Sequence, residues 1–106
     1  MRLGSQTTHV SQGSQVFKMY GGADMIEERH RHRYEVNNKY VDIIEKYGLK
    51  FVGKSVSGRL MEITELPNHP FYIGCQFHPE FKTKYNQPHP LFVGLIRTMV
   101  GINQLA

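Results

Sequence analysis

Three short runs of strand-forming residues, close together in the second half of the chain, limit the possible folds more than any other feature. They span residues 49–56, 59–66 and 71–77 and are rich in apolar and β-branched side chains. The Ser-Gly pair at 57–58 predicts a hairpin turn between the first two runs, and the proline-containing segment 67–70 separates the second run from the third. The sequence therefore predicts three successive strands here.

Two other segments have helical spacing. Apolar side chains recur every three or four positions over residues 38–47, which follow Asn37, a favourable N-cap, and end at Gly48. A last helix is predicted to begin near Pro90, because proline suits the first turn of a helix. The apolar stripe of that helix consists of Leu91, Leu95, Met99 and Ile102.

The first part of the chain carries weaker signals. Residues 29–36 alternate between charged side chains and His, Tyr or Val, which predicts a short strand with one charged side. Residues 1–22 are rich in Gly, Ser, Thr and Gln and predict a strand end that runs into a flexible loop, followed by an ordered element that begins near Val16–Tyr20 and ends at Gly21-Gly22. The resulting order of strand, helix, three strands and helix indicates an α/β or α+β pattern that resembles half of a domain.

Composition narrows the class of protein. The 106 residues suffice for one domain, and 40% hydrophobic with 21% charged residues excludes wholesale disorder. No apolar run approaches the roughly 20 residues of a membrane span, and the first residues lack the apolar core of a secretory signal. The single cysteine, Cys75, has no internal disulfide partner, so we expect a reducing compartment and a cytoplasmic location. The net charge of +4 is compatible with anionic partners, but a solvated basic surface explains it more simply.

The run at 71–77 ends beside a histidine and a carboxylate that lie two residues apart. Pro79 stands between His78 and Glu80 and favours extended backbone at His78, where side chains at i and i+2 point the same way. A carboxylate beside an imidazole holds its tautomer and stabilises its protonated form, as the base of a nucleophile–His–acid triad needs. An ordinary loop at the end of a strand is the alternative interpretation.

The second candidate feature is the run of arginines and histidines at 29–33. An arginine guanidinium binds a carboxylate through two hydrogen bonds, so one of these arginines could hold an amino-acid or phosphate substrate. Zinc binding by His30 and His32 is a weaker alternative, because no spaced cysteines or acids complete a metal site. A nucleic-acid patch is equally weak, because no series of aromatic residues accompanies the charge.

Four stretches taken together resemble one enzyme family. They are ERHRHRYEVN at 28–37, PNHPF at 67–71, CQFHPEF at 75–81 and HPLFVGL at 89–95. With these stretches and the opening MRLG, the chain resembles the carboxy-terminal glutaminase domain of the CTP synthase family over nearly its whole length, with 5–22 the least matched part. The HPE motif is shared by many class I glutamine amidotransferases, whereas RHRHRYEVN is far more specific to CTP synthases.

This resemblance implies a fold and three site residues. The implied fold is α/β, a glutamine amidotransferase type 1 domain with a mainly parallel central sheet and flanking helices, of which residues 1–106 supply the carboxy-terminal portion. His78 matches the triad histidine, Glu80 the triad glutamate and Arg33 a glutamine-binding position. In the family a cysteine thiolate attacks the side-chain amide of glutamine, forms a glutamyl thioester and releases ammonia.

The resemblance also implies the partners of a parent enzyme. Ammonia reaches a synthase domain that aminates UTP with the help of ATP and Mg²⁺, and GTP is an allosteric activator. A homo-oligomer is implied as well, since the family forms tetramers. For this chain itself we expect glutamine as the ligand, with no cofactor or metal of its own and no membrane or nucleic-acid partner.

The sequence departs from the family pattern at the nucleophile. Neither a Gly-x-Cys-x-Gly elbow nor a synthase domain occurs in the 106 residues, and Cys75 lies in Gly-Cys-Gln-Phe instead. Strand alternation groups Cys75 with Ile73 and Phe77, which predicts a buried structural cysteine. We therefore expect a fragment that is inactive alone, whose missing strands leave an open sheet edge and exposed apolar surface. Another class I amidotransferase and a non-catalytic binding or assembly module are the alternatives.

Overall fold

A computed structural model describes the backbone of residues 2–105 and the side chains of residues 2–101. The elements in chain order are β1 (Arg2–Val10), α1 (Gln15–Met19), β2 (Met25–His32), α2 (Val41–Lys46), β3 (Lys50–Ser55), β4 (Met61–Glu65), β5 (Ile73–Cys75) and α3 (Pro90–Leu105). Two 3₁₀ turns accompany them, at Asn38–Tyr40 before α2 and at Pro79–Phe81 after β5.

The five strands form one sheet in the order β2-β1-β3-β4-β5. Every pairing among the described strands is antiparallel, and a short connection joins the neighbours β3 and β4. The parallel part of the sheet expected for a complete family domain is therefore not supplied by the described residues. At the irregular step in the β3–β4 pairing, Gly53 approaches Ile63 so closely that an added Cβ would lie 2.5 Å from a side-chain carbon. Only glycine permits that approach.

The predictions for the second half of the chain are confirmed in outline. Strands β3, β4 and β5 lie inside the three predicted runs, and Gly58 turns the hairpin with a φ of 77°. The helical segment 38–47 becomes the 3₁₀ turn and α2, and the Asn37 side chain accepts a hydrogen bond from the backbone N of Lys39 at 3.0 Å. Helix α3 begins at Pro90, as predicted.

The prediction of a flexible loop within residues 1–22 is wrong, whereas the ordered element predicted near Val16–Tyr20 is present as α1. Strand β1 pairs along almost its whole length with β2 and at one end with β3, and α1 follows after a turn. Ser14 caps α1 by accepting from the backbone N of Phe17, and the buried Glu65 carboxylate accepts from the backbone N of Gln15 and Val16 at 3.2 Å each. Apart from the local Ser14 cap, these stabilising partners are distant in sequence, so the polar composition alone did not predict an ordered segment.

Strand β2 also differs from its predicted limits. It begins at Met25 and ends at His32, so the expected strand over 29–36 lies too far along the chain. The predicted alternation between a charged side and an uncharged side is present, although one buried residue is an acid. Ile26, Glu28 and His30 are buried, while the arginines at positions 29, 31 and 33 are exposed. One face of β2 thus packs against the protein and the other presents charge.

The core lies between the sheet, α1 and the start of α3. It contains Val10, Val16, Ile26, Val52, Ile63, Phe77 and Leu91. Of the stripe predicted on α3, Leu91 is buried, whereas Leu95 and Met99 are exposed; the side chain of Ile102 lies outside the described residues. This apolar surface on α3 agrees with the expected exposure of a partial domain. Within the described part of the chain, no helix is long and apolar enough to cross a membrane.

Candidate active site

The segment after β5 is held against β2. The backbone N of His78 donates to the carbonyl of Arg29 at 2.9 Å, and the backbones of Phe77 and His30 form an isolated antiparallel β-bridge. His78 itself is extended, with φ −107° and ψ 93°, as expected for a residue before proline. Pro79 then occupies the first position of the 3₁₀ turn Pro79–Phe81. The end of β5 and the middle of β2 therefore fix the backbone of the candidate histidine.

The structure brings His78 and Glu80 together. Nδ1 of His78 lies 2.9 Å from Oε2 of Glu80, and both side chains are partly open to solvent. The contact forms although Glu80 lies in a 3₁₀ turn and not in the extended backbone assumed from the sequence. The hydrogen bond from His78 lowers the pKa of the Glu80 carboxyl from its ordinary value. A carboxylate on Nδ1 leaves the lone pair of a neutral imidazole on Nε2. The catalytic roles of both residues stay predictions.

Phe81, which the sequence analysis did not single out, covers a face of the His78 ring. The two ring centroids are 4.9 Å apart and the planes differ by 20°. The position of Phe81 three residues after His78 could have predicted this contact, since side chains at i and i+3 eclipse in a 3₁₀ turn.

Arg33 lies on the wall of an open cavity of about 920 Å³. Arg29, Arg31 and Phe81 line the same cavity, and Phe81 links it to His78 through the ring stack. The geometry does not distinguish Arg33 from Arg29 and Arg31, and its glutamine-binding role stays a prediction. The cavity is basic and adjoins the candidate histidine, so it suits a ligand that carries a carboxylate.

His30 and His32 form a hydrogen-bonded pair on the wall of this cavity. Nδ1 of His30 lies 3.0 Å from Nε2 of His32, whose own Nδ1 lies 3.0 Å from the carbonyl of Tyr34. Burial is the main cause that lowers the pKa of His30, and the positive charge of the nearby Arg2 guanidinium lowers it further. Among the residues whose side chains are described, no three His, Cys, Asp or Glu side chains are grouped as metal ligands.

The prediction that Cys75 is buried is wrong. The residue is exposed, because β5 is the edge strand of the described sheet. Its Sγ donates to the carbonyl of Phe77 at 3.5 Å. Desolvation by the surrounding protein nevertheless raises the pKa of the thiol to about 11, and the charges of Glu28 and Glu80 contribute less to this rise. A thiol with so high a pKa is a weak nucleophile.

A buried polar cluster behind the site was not predicted. Glu28 of β2 accepts hydrogen bonds from the Tyr20 hydroxyl and from Nε2 of His89, both at 2.5 Å. The other ring nitrogen of His89 accepts from the backbone N of Leu91 at 3.1 Å, in the first turn of α3. The cluster thus joins β2 to α3 beside the segment that carries His78. The sequence-based prediction concerned the arginines of the RHRHR motif, whereas the buried acid, Glu28, lies directly before that motif.

Comparison with known proteins identifies the family. The model of class I glutamine amidotransferases matches residues 1–98. The chain belongs to the class I glutamine amidotransferase family. This agrees with the resemblance that the sequence motifs suggested.

Individual relatives of this amidotransferase chain are CTP synthases. The CTP synthase of Buchnera aphidicola is 54% identical over 105 residues, which are 99% of this chain and 19% of that protein. The CTP synthase of Rubrobacter xylanophilus is 52% identical over 101 residues, 95% of this chain and 18% of that protein. The chain thus spans about a fifth of the length of these curated relatives.

A solved structure shows the same fold. The glutaminase domain of Trypanosoma brucei CTPS with bound acivicin superposes with a TM-score of 0.89 at 32% sequence identity. The match covers 95% of this chain and 40% of that one. The expected fold class, an incomplete α/β amidotransferase domain, is therefore confirmed.

Proposed function

We propose that this chain is the carboxy-terminal portion of the glutaminase domain of a CTP synthase, with residues 1–106 all belonging to that one domain. The observation that carries the proposal is the His78–Glu80 hydrogen bond of 2.9 Å, in a segment fixed against β2 and beside a cavity lined with arginines. The similarity to CTP synthases over 99% of the chain supports this parent over other amidotransferases.

His78 acts in this proposal as the proton carrier. With Nδ1 bonded to Glu80, the free lone pair of Nε2 takes the proton of a cysteine thiol supplied by another part of the parent protein. The thiolate attacks the amide carbon of glutamine, and His78 returns the proton to the leaving nitrogen as the carbon–nitrogen bond breaks. Ammonia and a thioester result. A water that His78 deprotonates then attacks the thioester carbon, and the cysteine leaves and takes the proton back from His78, which releases glutamate and restores the thiol.

Arg33 holds the substrate in this proposal. Its guanidinium, on the cavity wall, pairs with the α-carboxylate of glutamine through two hydrogen bonds. Because this carboxylate does not change in the reaction, the interaction contributes equally to the ground state and the transition state.

The parent enzyme uses the released ammonia to convert UTP to CTP with ATP and Mg²⁺ in a synthase domain, and GTP activates it. We further propose a cytoplasmic location, in line with the single cysteine, and a homo-oligomeric parent, as the family resemblance implies. The 106-residue chain alone is expected to release no ammonia from glutamine, because the thioester route needs a thiolate that Cys75 is poorly suited to supply.

The test is a His78→Ala variant of the full-length parent. Glutamine-dependent CTP formation should be lost, while CTP formation from added ammonia should be retained, since only the first needs the proton carrier. A matched control is His9→Ala, which alters an exposed histidine on β1. Loss of both activities would give His78 a structural role. A parent that makes no CTP from ammonia would favour another amidotransferase or a non-catalytic module.

A further inference from the structure

We propose that Phe81 is a positioning residue for the imidazole of His78, an inference that rests on the proposed function. Its ring covers one face of the imidazole at a centroid distance of 4.9 Å, nearly parallel to it. Phe81 is half exposed, so core packing alone does not account for an aromatic side chain at this position.

The backbone dictates the stack. Side chains three residues apart eclipse in a 3₁₀ turn, and the backbone N of Phe81 closes the turn by donating to the carbonyl of His78 at 3.1 Å. The turn is anchored at both ends. His78 donates from its backbone N to Arg29, and Lys82 Nζ donates to the carbonyl of Glu27 at 2.6 Å. The local backbone thus places Phe81 over His78, and the two anchoring hydrogen bonds hold the turn against β2.

Glu80 and Phe81 together restrict the imidazole in complementary ways. The carboxylate of Glu80 holds the Nδ1 edge, and Phe81 blocks rotation of the ring by covering its face. In the side chains described, residues 2–101, no group is hydrogen-bonded to Nε2 of His78. In the His-Pro-Glu-Phe segment, Glu80 and Phe81 thus hold the imidazole of His78 in place, while its Nε2 edge stays free for proton transfer.

The stack also favours the charged form that arises during the reaction. When His78 takes a proton, its ring becomes a cation facing the negative face of the Phe81 ring, well within the roughly 6 Å range of such attraction. This stabilisation exists only while the proton is on His78. Its loss should therefore lower kcat for glutamine and leave KM nearly unchanged.

The experiment compares Phe81→Leu and Phe81→Tyr in the full-length parent, beside Tyr85→Leu, which alters a fully exposed aromatic side chain in the same segment. Phe81→Leu should lower kcat for glutamine about two- to tenfold, the range expected for an aromatic pair. KM for glutamine and ammonia-dependent CTP formation should stay near the wild-type values. Phe81→Tyr should restore kcat because it keeps the ring, and Tyr85→Leu should match the wild type.

Three outcomes would overturn the inference: no change in Phe81→Leu, a loss confined to KM, or a Tyr variant as poor as the Leu variant. A loss confined to KM would mean that Phe81 acts only by contacting the substrate in the cavity that it lines. The His78→Ala variant, measured in parallel, separates the two proposals. If it keeps glutamine-dependent activity, the proposed function fails. If it loses that activity while Phe81→Leu does not, only the role of Phe81 fails.

Discussion

Nε2 of His89 lies 2.5 Å from Oε2 of Glu28, and the two side chains are 2% and 1% exposed. Because Nδ1 of His89 accepts from the backbone N of Leu91, the proton of the neutral ring is on Nε2 and points at the carboxylate. One hydrogen-bonded imidazole thus caps the start of α3 and holds the middle of β2. The next residue of β2, Arg29, fixes the backbone of His78.

Glu28→Gln should loosen this junction. The amide accepts less strongly than a carboxylate and places an NH₂ group among buried donors, so we expect a cost of about 1–3 kcal/mol. Amide hydrogen exchange in the full-length parent should accelerate in β2 and at the start of α3. The matched control is Glu27→Gln, which alters the exposed neighbour and should change stability by less than about 0.5 kcal/mol. Equal effects in the two variants would contradict the role of the cluster.

Glu80→Gln should lower glutamine-dependent activity less than His78→Ala does, because Glu80 orients the imidazole and does not itself carry the proton. The hydrogen bond between His78 and Glu80 should also depend on pH. The pKa of Glu80 is lowered by the bond from His78, so the pair persists above the ordinary carboxyl pKa and is lost as the pH falls through the lowered one. An NMR titration of the Glu80 carboxyl should have its midpoint below 4.5 in the wild type and move towards the ordinary value in His78→Ala. An unchanged midpoint would speak against the pair.

Arg33→Ala should raise KM for glutamine with a small change in kcat, because the proposed ion pair is the same in the ground and transition states. Loss of a charged hydrogen-bonding partner corresponds to about a tenfold change or more. Steady-state kinetics of the full-length parent at varied glutamine measure both constants. Arg29→Ala and Arg31→Ala are the matched controls, since both arginines line the same cavity. We expect them to matter less, because the family resemblance assigns glutamine binding to Arg33. An unchanged KM in Arg33→Ala would refute the assignment.

Cys75 should be accessible yet slow to react. With a pKa of about 11, its thiolate fraction at pH 8 is about a hundredfold smaller than that of an ordinary cysteine. Alkylation by iodoacetamide, followed by intact mass, should therefore accelerate about tenfold per pH unit between pH 8 and 10. Cys75→Ser in the full-length parent should keep glutaminase activity. Labelling of Cys75 by a glutamine-analogue alkylator, blocked by glutamine, would instead make it the nucleophile and overturn the fragment interpretation.

Local chemistry determined a large part of this protein before any tertiary structure was considered. The hairpin at 57–58, the cap at Asn37 and the start of α3 at Pro90 depend on backbone preferences of a few adjacent residues, and the structure confirms them. The proximity of His78 and Glu80 is equally local, since the two residues are separated only by Pro79. Motif similarity also indicated the family, which the comparisons confirm.

Only the tertiary structure decided what depends on distant partners. The polar first strand exists because β2 and β3 pair with it, and Glu28 is buried because His89 and Tyr20 satisfy it from other elements. Cys75 is exposed because its strand lies at the edge of the described sheet, a position that alternation along a single strand does not reveal. Periodicity reports which residues share a face of an element, whereas burial depends on what the rest of the chain places against that face.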